Sequence, residues 1–348
     1  MPAPPTLPGT PRVTLAVVAL GITDRLDDCL RSLTEHETEH ATDIVCVVNP
    51  ESPDAPLELD ALEAAHAGVR FVPSAMNLGW AGGLQLARRH AAGEYLVQVQ
   101  DDMVVAPGWL DALVAAADAH PEIGAFGSLQ LDSHGAVRRY NAGMAEPPAE
   151  VRRWNETDTT VENTPADVTR FGWVTSKGML ARLSAWDEVG GPDPRLFPLN
   201  HVDKDYCSHL RAHGWGVALV PTAHLVHQGN QSAPGLMRAF LSEWQAERLA
   251  ERWGSVVAAL PEAEARAVAH ECTRGRAERL EHEVAIEAST LAVAFGRWAQ
   301  RRRVRQDAAL TAADARASAA VAELAALRGS FSWRLTSPLR RVRSILSR

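Results

Sequence analysis

Two kinds of segment are missing from this 348-residue chain. No run approaches the roughly 18 apolar residues that a membrane-spanning helix needs. Residues 1–11 are proline-rich and lack a basic start followed by an apolar stretch, so they do not resemble a secretion signal. We therefore expect a cytoplasmic protein whose only membrane contact would be peripheral, on the inner face of the cell membrane.

Paired cysteines and excess positive charge are also missing. The 4 cysteines include no CxxC pair, which argues against a zinc ribbon or a disulfide framework. A formal net charge of -8 does not favour nucleic acid as a partner. A hydrophobic content of 46% over this length is enough for one α/β domain of roughly 250 residues and an accessory region.

Strand and helix patterns alternate between residues 12 and 120. Short apolar runs at 12–20, 43–48, 69–72 and 94–99 are typical of buried parallel strands. The segments between them have helical spacing of apolar residues. This alternation predicts an α/β fold with a doubly wound, mainly parallel central sheet flanked by helices. We assign residues 12–254 to this domain and residues 1–11 to a disordered extension.

The composition changes after residue 255 to alanine, glutamate and arginine with few strand formers. Residues 255–328 are therefore predicted to be a helical accessory region. Leucines and alanines repeat at heptad spacing over 310–327, which is too short to decide between dimerisation and packing on the domain. Residues 329–348 form a basic amphipathic tail that would suit either an anionic membrane surface or a solvated end.

Two carboxylates, Asp101 and Asp102, follow the predicted strand at 94–99. The carboxyl end of such a strand is where an open α/β sheet binds ligands. Paired carboxylates there suit a hard divalent cation, which in turn can hold a diphosphate. A solvated acidic turn is the simpler alternative.

A glycine-rich turn, Asn77-Leu78-Gly79-Trp80-Ala81-Gly82-Gly83, lies at a strand-to-helix junction. Its glycines allow a close approach of the backbone, and we expect the N–H groups at the start of the helix to be free for an anion.

Further candidates lie in the second half of the chain. Asp203 and Asp205 are two residues apart, and either would serve as a general base, while Asp205 would also serve as a helix cap. His224 and His227 are three apart on a predicted strand, so they face opposite sides and only one is expected to be a ligand.

Together these segments resemble the family-2 inverting glycosyltransferases with the GT-A fold, over residues 12–254, and in particular the rhamnosyl- and galactofuranosyltransferase-like members of bacterial polysaccharide assembly. The matching motifs are the turn at 77–83, a DxD-like triplet at 100–102, Gly-Gly-x-Asp at 190–193, Asp-x-Asp-Tyr-Cys at 203–207 and a histidine before Gly-x-x-Ser at 227–232.

The resemblance implies a role for each matching residue. Asp102 and His227 would hold Mg²⁺ or Mn²⁺ on the donor diphosphate, and Asp203 would be the catalytic base. The implied donor-binding residues are Asn49, Asn77, Gly79, Trp80, Gly82, Gly83, Gln100 and Asp101. The implied acceptor-binding residues are Trp173, Lys177, Gly178 and Asp205.

Three positions depart from the family pattern. Gln100 stands where relatives often have Asp, Asn49 stands where relatives usually have an Asp that contacts the nucleotide base, and Val202 stands where many have an acidic residue. The departure at Asn49 leaves the base of the nucleotide open. In addition, the first strand ends with Ala19-Leu20-Gly21 where relatives often have Thr-Tyr-Asn, which leaves the contact that stacks on the base unidentified.

The implied function is metal-dependent, inverting transfer of a sugar from a dTDP- or UDP-linked donor to a hydroxyl of a growing glycan or a lipid-linked glycan. A homo-oligomer is compatible with the heptad pattern. A noncatalytic nucleotide-sugar or glycan-binding module on the same fold is the alternative, and the three departures favour it. A nucleotidyltransferase would need a glycine-rich, basic loop after the first strand, which residues 21–24 lack.

Overall fold

A computed structural model describes residues 10–52, 54–137, 142–143, 167–228, 235–253 and 279–329 of the chain. The chain divides into two compact units, residues 1–290 and 291–348. The predicted tail lies outside the described residues from residue 330 onward, as do residues 254–278 of the accessory region and residues 1–9 of the extension. The domain boundaries at 11, 254 and 328 stay predictions.

Strands and helices alternate through the first unit. In chain order they are β1 (Val13–Leu20), α1 (Asp24–Thr34), β2 (Thr42–Asn49), α2 (Asp60–Ala65), β3 (Val69–Pro73), α3 (Gly79–Arg88), β4 (Tyr95–Gln100), β5 (Met103–Val105), α4 (Trp109–Ala119), β6 (Ile123–Leu131), β7 (Ala142–Gly143), β8 (Thr169–Arg170), β9 (Trp173–Val174), β10 (Met179–Arg182), α5 (Leu183–Val189), α6 (Val202–Ala212), β11 (Gly216–His227) and α7 (Gly235–Trp253). A last helix, α8 (Leu280–Gly329), begins in the first unit and continues into the second.

The central sheet has nine strands in the order β3-β2-β1-β4-β10-β6-β11-β5, with β8 paired to β11. Neighbours among β3, β2, β1 and β4 are parallel, and so are β6 and β11. The α/β class and the mainly parallel sheet are therefore confirmed. One difference is β10, which enters between β4 and β6 and runs antiparallel to both.

Each face of the sheet is covered by its own apolar cluster. Along β1, Leu15 and Val17 contribute to the cluster that includes α1 and α4, whereas Ala16 and Val18 contribute to the cluster that includes α3, α5 and α6. A strand buried on both faces reads as a continuous apolar run, which is why β1 was visible in the sequence. Burying one such valine or leucine side chain contributes about 1.5–3 kcal/mol.

The first turns of α8 belong to the fold of the first unit. Leu280 and Val284 are buried and pack with Leu78 of the glycine-rich turn. Further along, Leu310 of the heptad pattern is 65% exposed. None of the described helices is long and apolar enough to cross a membrane.

Candidate active site

The carboxyl ends of three neighbouring parallel strands meet at one edge of the sheet. Leu20 at the end of β1 lies opposite Asn49 at the end of β2. On the other side of β1, strand β4 ends at Gln100, and residues 101–102 follow directly. Because these strands run in the same direction, the segments that follow them emerge together, at the edge where open α/β sheets bind ligands.

The pairing of β5 with β11 brings the acidic pair to His227. Met103, the first residue of β5, pairs with His227, and the N–H of Gln228 donates to the carbonyl of Asp102 across 2.9 Å. The Nε2 atom of His227 consequently lies 3.2 Å from the Asp102 carboxylate. The structure thus brings together the two side chains that the sequence assigned to one metal site.

The carboxylate of Asp102 is ionised, and one of its oxygens lacks a hydrogen-bond partner in the part of the chain that the structure describes. Burial alone would raise the pKa of Asp102, but the hydrogen bond and charge of His227 and the charge of Lys177 outweigh it and hold this pKa below its ordinary value. Its Oδ1 atom is buried and has no hydrogen-bond partner among the described residues. Burying a charged oxygen without a partner costs free energy, unless a further group such as a cation binds it.

The donor set around Asp102 fits a metal that is shared with a substrate. The described part of the chain contains no group of three or more His, Cys, Asp or Glu side chains that could hold a metal by themselves. Asp102 and His227 offer two ligands. Mg²⁺ is usually bound through one or two carboxylates together with substrate phosphates and waters, a manner of binding that the Asp102 carboxylate fits.

Asp101 turns back toward β1. Its Oδ2 accepts a hydrogen bond from the backbone N–H of Leu20 at 3.2 Å. Burial, with a further contribution from the charge of Asp102, raises the pKa of Asp101 to about 6. Asp101 therefore fixes the acidic turn against the end of β1, and its contact with a donor stays a prediction, as does that of Gln100.

The N–H groups at the start of α3 are already engaged. Those of residues 78–80 donate in turn to Oδ1 of Asn49 at 2.9 Å, Oδ1 of Asn77 at 2.8 Å and the carbonyl of Pro198 at 2.7 Å. The expectation that these groups are free for an anion is wrong, because oxygen atoms of the protein satisfy them.

The glycines of this turn serve close packing. Gly79 has a φ of +66°, and a Cβ atom there would lie 2.6 Å from the carbonyl oxygen of Pro198. A Cβ atom on Gly83 would lie 2.5 Å from Cγ1 of Val18 in β1. Gly82 faces the first turns of α8. The glycines thus allow the close approach that was predicted, but to the protein's own backbone and core.

Two side chains with polar groups are buried at this turn, Asn49 beside it and Trp80 within it. Oδ1 of Asn49 accepts from the hydroxyl of Ser74 at 3.1 Å and from the N–H of Leu78 at 2.9 Å, so it holds the turn against β2. A contact of Asn49 with a nucleotide base stays a prediction. Because Oδ1 already accepts two hydrogen bonds, the Nδ2 group would make this contact. The indole Nε1 of Trp80 is buried and has no hydrogen-bond partner in the described part of the chain.

The segment at 173–178 begins at β9 and ends beside the acidic pair. Gly178, with a φ of +67°, donates its N–H to the carbonyl of Gln98 in β4 at 2.9 Å. Its carbonyl accepts from the hydroxyl of Ser128 at 2.6 Å. This anchoring places the preceding residue, Lys177, where its charge acts on Asp102.

The other end of this segment lies beside α6. The Nζ atom of Lys204 in α6 lies 4.8 Å from the ring centre of Trp173. Four residues span at most about 14 Å, so the Cα atoms of Trp173 and Lys177 are no farther apart than that. The predicted acceptor segment therefore connects the start of α6 to the acidic pair.

Asp203 and Asp205 share the first turn of α6 but have different surroundings. Asp203 is half-buried, and its Oδ1 accepts from the N–H of Lys204 at 2.9 Å. Asp205 is fully buried, and its Oδ1 accepts from Arg252 at 2.7 Å and from the indole of Trp253 at 2.8 Å. The predicted contact of Asp205 with an acceptor does not fit, because its carboxylate is enclosed and bound by α7.

Arg252 and Trp253 are functional candidates that sequence reasoning missed. The apolar periodicity of α7 indicates which residues face the core, but it carries no information about the partner of an arginine at the helix end. The sequence contains only one indirect indication of such a partner. A second carboxylate, beside the one proposed as the base, needs its own cation if it is buried.

The mainly parallel sheet, with an acidic pair and a histidine at its carboxyl edge, defines the GT-A class of α/β fold. The family model described as "Glycosyltransferase like family 2" matches residues 11–255. The chain belongs to this family.

Relatives of known name share part of the chain. It is 28% identical over 186 residues to an N-acetylglucosaminyl-diphospho-decaprenol L-rhamnosyltransferase of Mycobacterium tuberculosis, a match that covers 47% of this chain and 59% of that protein. It is 31% identical over 156 residues to the O-antigen biosynthesis protein RfbC of Myxococcus xanthus, a match that covers 42% of this chain and 12% of that protein.

Two solved structures share the fold. GalNAc-T7 with UDP, GalNAc and Mn²⁺ has a TM-score of 0.52 at 14% identity, covering 81% of this chain and 58% of that one. The mannosyltransferase PcManGT from Pyrobaculum calidifontis, in complex with GDP-Man and Mn²⁺, has a TM-score of 0.50 at 17% identity, covering 96% of this chain and 85% of that one.

Proposed function

We propose that the chain transfers a sugar from a nucleoside diphosphate sugar to a hydroxyl group of a glycan or lipid-linked glycan, with inversion at the anomeric carbon. The observation that carries this proposal is that the three candidate carboxylates differ in burial and in their partners. Asp102 is ionised beside His227 and has an oxygen without a hydrogen-bond partner among the described residues, Asp205 is enclosed, and Asp203 retains access to solvent.

Asp102 and His227 are the residues that would hold Mg²⁺ or Mn²⁺. Such an ion, when bound, supplies positive charge to the diphosphate that leaves. Lys177 adds a second positive charge beside Asp102. Charge that develops on a leaving diphosphate is stabilised best by groups that are already in place, which the anchoring of Gly178 provides for Lys177.

Asp203 supplies the base. Its carboxylate takes the proton of the acceptor hydroxyl while the hydroxyl oxygen forms a bond to the anomeric carbon. The bond from that carbon to the diphosphate oxygen breaks on the opposite side, and the electron pair leaves with the diphosphate. A base on the acceptor side of the sugar and a separate group on the diphosphate side are what an inverting displacement requires.

The names of the relatives support a choice of substrates. The mycobacterial relative is named as an L-rhamnosyltransferase with a decaprenol-linked acceptor. We therefore propose a dTDP-linked or UDP-linked donor, with dTDP-rhamnose first, and a lipid-linked glycan as the acceptor. A lipid-linked acceptor also motivates a peripheral contact with the inner face of the membrane.

Calorimetry with UDP, dTDP and GDP, each with and without Mn²⁺, tests the donor site. We expect metal-dependent binding of one nucleotide to the wild type, and a loss of at least about tenfold in Asp102→Asn or His227→Gln, because each removes one of few ligands. Asp28→Asn on the exposed face of α1 and His224→Gln, three residues before His227, are the matched controls.

Turnover with the matching sugar nucleotide tests the base. Asp203→Asn should bind the nucleotide within about twofold of the wild type and lose at least about 100-fold in kcat, the range for a general base. Normal turnover of Asp203→Asn would overturn the assignment. Binding of a nucleotide without transfer by the wild type to any glycan offered would favour the noncatalytic module.

A further inference from the structure

One arginine bonds to both ends of the loop that carries the proposed base. The Nη1 atom of Arg252 lies 2.9 Å from Oδ2 of Asp193 and 2.7 Å from Oδ1 of Asp205. Residues 194–204, here called the base loop, lie between these two aspartates and comprise a loop followed by the first three residues of α6, including Asp203. Both aspartates are buried, and the Arg252 side chain is only 14% exposed.

The charges of this cluster depend on one another. Burial would raise the pKa of Asp193, and the nearby charge of Asp205 acts in the same direction, but Arg252 and Arg195 outweigh both and lower it. Burial would likewise raise the pKa of Asp205, but His209, Arg252 and Trp253 hold it well below its ordinary value. Without Arg252, two buried carboxylates would repel each other across the ends of the base loop.

The two halves of the base loop are held differently. In the first half, the carbonyls of Leu196 and Phe197 accept from Nε2 of Gln245 at 3.1 and 2.9 Å. In the second half, Asn200 and His201 have φ angles of 76° and 55°. Left-handed conformations of residues other than glycine are unfavourable and persist where the surroundings impose them. The strained half leads directly into Asp203.

From this geometry we infer that Arg252 is a positioning residue, which closes the base loop between Asp193 and Asp205 and thereby sets the place of Asp203. The inference rests on the proposed function for the role of Asp203. It adds a residue of α7, which lies outside the base loop, to the residues on which turnover depends. Arg252→Lys keeps the charge but replaces the rigid, planar guanidinium with a flexible and strongly hydrated ammonium group.

The test compares Arg252→Lys and Arg252→Met with Arg88→Met, which breaks an exposed ion pair to Asp187. We expect both Arg252 variants to keep nucleotide Kd and donor KM within about threefold and to lose at least about tenfold in kcat, as expected for a group that fixes the geometry of a reacting pair. Arg88→Met should keep kcat. A fall in donor affinity that accounts for the whole loss, or an unchanged kcat, would overturn the inference.

Amide hydrogen exchange provides a readout that does not depend on transfer. Exchange within residues 194–204 should be at least about tenfold faster in folded Arg252→Lys than in the wild type, while β1 and β4 keep wild-type rates. If the wild type transfers no sugar, the proposed function fails. Hydrogen exchange alone then tests whether Arg252 holds the base loop. Wild-type exchange of the base loop in Arg252→Lys would show that the arginine does not hold it.

Discussion

Asp203 and Asp205 are two residues apart in one helical turn, yet the structure gives one of them access to solvent and encloses the other. Their sequence context could not make this distinction, because both lie at the start of the same helix and either would suit a base, while Asp205 would also suit a cap. The difference comes from α7, which brings Arg252 and Trp253 to the carboxylate of Asp205.

The enclosure of Asp205 predicts a pH dependence of stability. Its pKa is depressed in the folded state from an ordinary value of 3.8. Its contribution is therefore complete above about pH 4 and is lost as the pH falls through the folded-state pKa. Asp205→Asn should be less stable at pH 7 and should lose stability less steeply below pH 4, by up to about 1.4 kcal/mol per pH unit.

Urea unfolding between pH 3 and pH 7, followed by tryptophan fluorescence, measures these slopes. Asp28→Asn, at an exposed carboxylate of α1, is the control and should show the slope of the wild type. Parallel slopes for Asp205→Asn and the wild type would contradict the assigned role of Asp205.

At the scale of elements, the glycine-rich turn allows α3 to pack closely against β1 and against the base loop. Gly83→Ala would place a methyl group 2.5 Å from Cγ1 of Val18. Overpacking of this kind costs about 1–3 kcal/mol, and the better helix former returns at most about 1 kcal/mol, so we expect a net loss of up to about 2 kcal/mol in the free energy of unfolding. Thermal unfolding measures the change.

Gly68→Ala is the matched control, because no described residue other than its two chain neighbours has an atom within 4 Å of its Cβ position. It should leave the melting temperature within a few degrees of the wild type. Equal stability of the Gly83→Ala and Gly68→Ala proteins would contradict this prediction. It would mean that β1 and α3 can move apart to accommodate the methyl group without a loss of stability.

The elements differ in how much of them the sequence could predict. Strands β1, β2 and β4 are continuous apolar runs, and their burial on both faces makes such runs diagnostic. Strand β10 has only four residues, and nothing in Met-Leu-Ala-Arg specifies an antiparallel direction or a place between β4 and β6. The engagement of the first N–H groups of α3 was equally hidden, because one of their acceptors, Pro198, is far away in the sequence.

For the whole molecule, the proposed lipid-linked acceptor predicts a membrane-binding tail. Residues 330–348 contain five arginines and no acidic residue. Each basic residue near an anionic surface contributes about 1 kcal/mol. We expect the full chain to sediment with phosphatidylglycerol vesicles, and a chain ending at residue 329 to bind them at least about tenfold more weakly.

Phosphatidylcholine vesicles and a high-salt buffer are the controls, and both should abolish sedimentation of the full chain. Transfer to a water-soluble acceptor should be the same for both chains. Equal sedimentation of the full and the shortened chain would overturn the role of the tail.

The position of β5 at the end of the sheet has a consequence for synthesis of the chain. Among the described strands, β5 pairs with β11 alone, and the register joins Met103 to His227. During translation, residues 103–105 therefore remain without their partner strand until more than 100 further residues have been added. The earlier strands β1, β2, β3 and β4 can pair long before that. A nascent chain released before residue 216 would have a folded nucleus and no site, so the ability to bind a donor would report on completion of the domain.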